Sequence, residues 1–176
     1  RVQLEQTTDY PWAGKIKLRV SPDNPATFTV NLRIPGWVEG KPLPNDLYTY
    51  DDATPAKWSL RVNGKQTSAI LINHGFATIV REWKTGDEVT LDFPMPVRGV
   101  AGNPKIAATK NQVALERGTI VYTFEGVDNN GSVFDIVLPA TAKITPEYRA
   151  DFLGGVTVLN IANAQRVALN QAGKRI

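Results

Sequence analysis

The run Lys15-Ile16-Lys17-Leu18-Arg19-Val20 places an apolar residue at every second position and a basic residue between each pair. Side chains of an extended chain point alternately to opposite faces, so this predicts a strand with Ile16, Leu18 and Val20 inward and one wet face. Residues 26–34 repeat the pattern with Phe28, Val30, Leu32 and Ile34 inward. Between the two runs lies Ser21-Pro22-Asp23-Asn24-Pro25, a turn cluster that predicts a hairpin joining them. Trp58-Ser59-Leu60-Arg61-Val62 alternates again and meets Asn63-Gly64, a dipeptide suited to the positive φ angles of a type I′ turn. Further strands are predicted over 69–72, 76–83 and 88–93, broken by His74-Gly75 and by the turn 84–87, with Val89, Leu91 and Phe93 on one face.

Pro94-Met95-Pro96 closes this series, and Gly99 to Pro104 reads as a flexible joint. Beyond it, strands are predicted over 112–116, 119–125, 132–138, 155–161 and 166–169. Asp128-Asn129-Asn130-Gly131 reads as a hairpin loop, and Thr145-Pro146-Glu147-Tyr148-Arg149 as one helical turn with Pro146 at its first position. Short strands at this spacing predict an all-β chain of the antiparallel β-sandwich class, immunoglobulin- or jelly-roll-like. Two consecutive units are expected, 1–98 and 99–176, the second incomplete. An incomplete sandwich leaves an open strand edge, so self-association through the C-terminal half is expected.

Composition narrows the chemistry. There is no cysteine, which excludes disulfides and thiolate nucleophiles or metal ligands in this segment. The net charge of +3 arises from 20 basic and 17 acidic residues in mixed order, without the basic run that nucleic-acid binding requires, so no nucleic-acid partner is expected. Apolar stretches are short and interrupted, so no membrane partner is expected either.

Each candidate for catalysis has a plainer use. Glu116, Glu125 and Asp128 are the least surface-like carboxylates, but a glycosidase needs two acids held across one sugar bond. Glu116 precedes Arg117, and a structural ion pair is favoured over catalysis. The single histidine, His74, sits beside Gly75 in a predicted turn and is read as solvated. The 128–131 segment has oxygen ligands near a glycine but lacks the distal glutamate of a calcium loop, so a simple turn is favoured. No catalytic, cofactor-binding or metal-ligating residue is therefore assigned. The aromatics say more: Trp58 and Trp83 lie in alternating strands and read as core, whereas Tyr10-Pro11-Trp12 and Pro35-Gly36-Trp37 lie at strand ends where loops present side chains. Tyr10, Trp12 and Trp37 are the candidate residues for packing on another domain or contacting sugar.

Six motifs bring a family into view: Thr7-Thr8-Asp9-Tyr10-Pro11-Trp12, Arg33-Ile34-Pro35-Gly36-Trp37, Val62-Asn63-Gly64, Arg81-Glu82-Trp83-Lys84-Thr85-Gly86-Asp87, Ala114-Leu115-Glu116-Arg117-Gly118 and Val121-Tyr122. In this order they resemble the C-terminal part of the DUF1680 family of glycoside hydrolases, which includes the β-L-arabinofuranosidases of glycoside hydrolase family 127. Thr119 departs from the proline usual after Arg-Gly in that family. The resemblance implies a parent with an N-terminal (α/α)6 barrel that holds the cysteine nucleophile, the glutamate acid/base and a zinc ion. None of those motifs has a counterpart here, so zinc is expected only on that missing domain. The implied role is a non-catalytic accessory β-sandwich portion of a glycoside hydrolase acting on arabinose-containing or related plant glycans, with the missing catalytic domain as partner. Alternatives are an autonomous carbohydrate-binding module and an immunoglobulin-like spacer or adhesion domain. The compartment stays open, and a periplasmic or secreted bacterial parent is compatible with the resemblance.

Overall fold

The computed structural model describes residues 1–67 and 71–168. It divides into two compact units, Arg1–Ile120 and Val121–Ile176. Both are built from antiparallel strands, and no α-helix occurs among the described residues. The first unit contains β1 (Val2–Thr8), β2 (Lys15–Pro22), β3 (Ala26–Arg33), β4 (Tyr48–Tyr50), β5 (Ser59–Val62), β6 (Lys65–Gln66), β7 (Leu71–Asn73), β8 (Phe76–Trp83), β9 (Asp87–Asp92), β10 (Val97–Gly102) and β11 (Val113–Arg117). One sheet runs β1-β2-β9-β5-β6, and a second runs β3-β8-β7.

The alternation read from sequence decides which face of each sheet is dry. Val20, Leu60, Val62, Val89 and Leu91 from the first sheet, with Phe93 just past β9, meet Val30, Ala77, Ile79 and Trp83 from the second in one core. Trp83 is fully buried, its indole N–H donating to the Phe28 carbonyl at 3.0 Å, and Trp58 packs its ring against Phe93. Burying each large apolar side chain here stabilises the fold by roughly 1.5–3 kcal/mol. Asn63 and Gly64 both adopt positive φ (51° and 76°), the geometry of a type I′ turn between β5 and β6. His74 and Gly75 form a second turn with positive φ between β7 and β8, leaving His74 exposed.

Several local expectations are corrected. The segment 21–25 does not close a hairpin: β2 pairs with β1 and β9, whereas β3 pairs with β8, so the turn carries the chain from one sheet to the other. Gly99 to Gly102 is not a flexible joint but most of β10, which pairs with β4 on one side and β11 on the other. Thus a strand at 48–50 and strands after residue 96 share a sheet. Of the strand predicted over 69–72, Leu71 and Ile72 lie in β7, and residues 69 and 70 lie outside the described residues.

β12 (Ile120–Tyr122) straddles the division between the units. In the second unit β13 (Ile136–Val137) pairs with β16 (Gln165–Arg166), and β14 (Lys143–Arg149) pairs with β15 (Val156–Ala162) over seven residues. The predicted helical turn at 145–149 is therefore strand. Threonine before proline is a helix-start signature, but in a two-stranded ribbon every strand is an edge, where proline is tolerated. The loop at 128–131 does not connect a hairpin, since β13 pairs with β16 instead. Of the strand predicted over 166–169, Arg166 ends β16 and Leu169 lies outside the described residues.

Candidate functional site

The corner between β1 and β2 positions Tyr10 and Trp12. Thr8 Oγ1 accepts the Tyr10 N–H at 3.0 Å and donates to the Lys15 carbonyl at 2.8 Å. The Asp9 carbonyl accepts the N–H groups of Trp12 (2.8 Å) and Ala13 (3.1 Å). Gly14 lies so close to Phe93 that a β-carbon there would run into the Phe93 carbonyl. The Tyr10–Pro11 peptide is cis. With its backbone held in this way, Trp12 stands 59% exposed. Arg117 Nη1 donates to the Trp12 carbonyl at 3.2 Å, tying the corner to β11.

Tyr10 and Trp37 go elsewhere. Trp37 lies in the short 3-10 turn Gly36–Glu39, only 6% exposed, with its ring edge-on to Phe93 at 5.9 Å. Its indole N–H donates to the Tyr10 hydroxyl at 3.3 Å, and Tyr10 packs against the core. The structure therefore brings the partly buried Tyr10 and the buried Trp37 together and leaves Trp12 as the exposed ring of the three.

Arg98 has no conspicuous sequence context, yet it organises the floor of this region. It is 6% exposed and donates from Nη1 to the Trp37 carbonyl (2.6 Å) and from Nη2 to the Thr54 carbonyl (2.5 Å). Its guanidinium lies 4.8 Å from the Tyr50 ring centroid, a cation–π distance. The Tyr50 hydroxyl in turn donates to Glu116 Oε2 at 2.8 Å. Burial foremost, then the Glu116 hydrogen bond and charge, push the Tyr50 phenol far above its ordinary value, with Arg98 opposing them. Such a phenol stays protonated and serves as a donor.

The remaining candidates are structural or solvated. Glu116 takes Tyr50 as its partner in place of the expected Arg117. Adjacent strand residues point to opposite faces, and Arg117 reaches the Trp12 carbonyl and the Met95 sulfur. In the second unit, Glu125 precedes and Asp128 ends the 3-10 turn Gly126–Asp128, both exposed, and the Glu125 carbonyl accepts the Asn129 amide at 2.8 Å. Among the described residues, no three His, Asp or Glu side chains gather as a metal site.

Comparison with known proteins places this architecture. Residues 1–95 match the family model described as "Beta-L-arabinofuranosidase, GH127 middle domain", and residues 97–170 match the "Glycoside hydrolase family 127 C-terminal domain". A non-reducing end β-L-arabinofuranosidase of Bifidobacterium longum subsp. longum is 32% identical over 166 residues, 90% of this chain and 22% of the relative. The chain thus spans about a fifth of that relative's length. The solved structure of a GH127 β-arabinofuranosidase superposes with a TM-score of 0.87 at 39% identity, covering 99% of this chain and 27% of the other. The GH127 β-L-arabinofuranosidase of Geobacillus stearothermophilus T6 gives a TM-score of 0.80 at 38% identity, covering 97% of this chain and 24% of the other. The chain belongs to glycoside hydrolase family 127, and corresponds to that family's middle and C-terminal domains.

Proposed function

We propose that this chain is the non-catalytic accessory β region of a β-L-arabinofuranosidase-type glycoside hydrolase acting on arabinose-containing or related plant glycans. Its partner is the catalytic domain of the same polypeptide. The observation that carries this reading is the state of the second unit: from 121 to 168 no described residue is buried, while Val127, Phe134 and Leu153 are 85%, 76% and 80% exposed. Apolar side chains left uncovered in this number mark a surface that another part of a protein covers. In the first unit, Trp12 supplies an exposed ring on a hydrogen-bonded corner, the kind of anchor that interfaces use. The module boundary proposed at 98/99 lies near the meeting of the two family models between residues 95 and 97, whereas the pairing of β10 with β4 carries the compact first unit on to Ile120.

The test is an assay of the 176-residue chain on an aryl β-L-arabinofuranoside with added zinc. No turnover is expected, and turnover abolished by Glu116→Gln would overturn the reading. The rival binding-module reading draws on the same exposed Trp12. Titration with arabinan oligosaccharides distinguishes it: a change in indole fluorescence that disappears in Trp12→Phe would favour sugar stacking, and an unchanged signal favours the accessory role.

A further inference from the structure

A groove of about 380 Å³ opens on the first unit beside β4, β10 and β11, and nothing in the accessory reading uses it. Its volume lies within the range of small-ligand sites, roughly 300–1,000 Å³. Leu43, the Tyr48 ring, Val100 and Val113 give it apolar walls, and Gln112 and Glu116 place an amide and a carboxylate among them. Such a lining, mostly apolar with a few convergent polar groups, is that of a site which orients its ligand.

The polar end is held in advance. Glu116 Oε2 is committed to the Tyr50 hydroxyl, and the Tyr50 ring rests against the buried Arg98 guanidinium. That hydrogen bond helps hold the carboxylate at the groove, and its second oxygen keeps acceptor capacity for a ligand hydroxyl. Arg98 behind the ring offsets part of the Glu116 charge, so the groove does not call for a cation. It suits instead a neutral molecule with hydroxyl donors along one edge and C–H faces on the other. Hydroxyls donating to a carboxylate make charge-assisted bonds, stronger than neutral ones, and the Gln112 amide can both donate and accept. C–H faces match the Tyr48 ring and the valine methyl groups. The groove is open rather than enclosed, so a chain can enter and leave it.

From this geometry we infer that the groove lined by Tyr48, Gln112 and Glu116 is a carbohydrate subsite for a short neutral oligosaccharide, separate from the Trp12 corner. The inference stands apart from the accessory reading, because a chain that proved catalytic or free-standing would still carry the groove.

The test is amide chemical-shift mapping of the 176-residue chain titrated with L-arabinose, an L-arabinofuranosyl disaccharide and a longer arabinan oligosaccharide, up to about 50 mM, since accessory sugar sites are expected to bind weakly. Saturable shifts centred on Gly102, Gln112, Val113 and Glu116 are expected, with the oligosaccharide binding tighter than the monosaccharide. Ala114→Trp fills the groove from an exposed strand position and should abolish binding. Gln112→Ala, also at an exposed position, should weaken it about tenfold with an unchanged melting temperature. Absence of saturable shifts, shifts centred on Trp12 instead, or undiminished binding by a folded Ala114→Trp variant would overturn the proposal.

Discussion

Asp87 shows how one mostly buried carboxylate ties two turns together. Its Oδ2 accepts the Lys84 N–H at 2.9 Å, its Oδ1 accepts the Asn63 amide at 2.8 Å, and the Arg81 guanidinium lies 3.6 Å away. Burial pushes this carboxyl up, but the Lys84 N–H, the Asn63 amide and the Arg81 and Lys84 charges together hold it below the usual aspartate value. A carboxyl depressed in the folded state stabilises the fold above its unfolded pKa of about 3.9, and that stabilisation is lost as pH falls through the folded value. The melting temperature should accordingly be flat above about pH 5 and drop as the solution is acidified below about pH 4. Asp87→Asn should cost about 1–3 kcal/mol at neutral pH, by leaving a buried donor poorly matched, and should make the acid limb shallower. Equal acid limbs in the two proteins would remove Asp87 as the source, leaving depressed surface carboxylates such as Glu88 beside Lys17. Other residues at this scale were harder to read from sequence. Trp37 follows Pro-Gly, which signals a loop, and only the fold shows that this loop turns its ring inward onto Phe93. Arg98 carries no sequence signal, because its partners are backbone carbonyls and a ring brought from 44 to 61 residues away.

At the scale of elements, the Asn63-Gly64 turn offers the cleanest test. Apart from its chain neighbours, no atom lies within 4 Å of where a Gly64 β-carbon would stand, so the effect of Gly64→Val comes mainly from φ of +76°. A β-branched residue at that φ is strained, with an expected cost of about 1–3 kcal/mol. A denaturation midpoint equal to that of the parent chain would show that the turn relaxes to another type. This turn was legible because its chemistry is local, whereas strand partnership is not. Alternation in β2 and β3 predicts which side chains face inward, and Val20, Val30 and Ile34 are indeed buried. The same alternation is silent on whether two successive strands share a sheet. A hairpin and a crossover both need a turn between them, and 21–25 served the crossover. Gly99 and Gly102 misled for a related reason. They look like joint residues, but in β10 their missing side chains make room for Asp51 and Thr109. The exposed indole of Trp12 was legible from its proline neighbour and strand-end position, while the groove between β4 and β11 was not, since its walls come from segments more than 60 residues apart.

At the scale of the molecule, the β14–β15 ribbon bears on association. It is two-stranded, so each strand has one row of backbone groups paired and one row facing out, and an unpaired row recruits another strand. Pro146 lies opposite Leu159 and has no N–H to donate. It therefore fits a pair whose backbone groups point away from each other, and alternation along an antiparallel ladder then turns the Leu159 N–H outward and the Val158 N–H toward β14. The two positions separate edge from ribbon. If copies of the chain associate by adding a strand to β15, Leu159→Pro removes an outward donor, leaves the ribbon's own ladder intact, and should lower the association constant. Val158→Pro should instead break the ribbon and speed hydrogen exchange throughout 143–162. Light scattering across a concentration series reads the first effect and exchange reads the second. Association is expected for the parent chain and should weaken in Leu159→Pro without a change in ribbon protection. A parent chain that is monomeric at every concentration would exclude strand addition. Association unchanged by Leu159→Pro would move the contact to the exposed apolar side chains of the second unit, with Phe134→Ser as the variant that should then dissociate it.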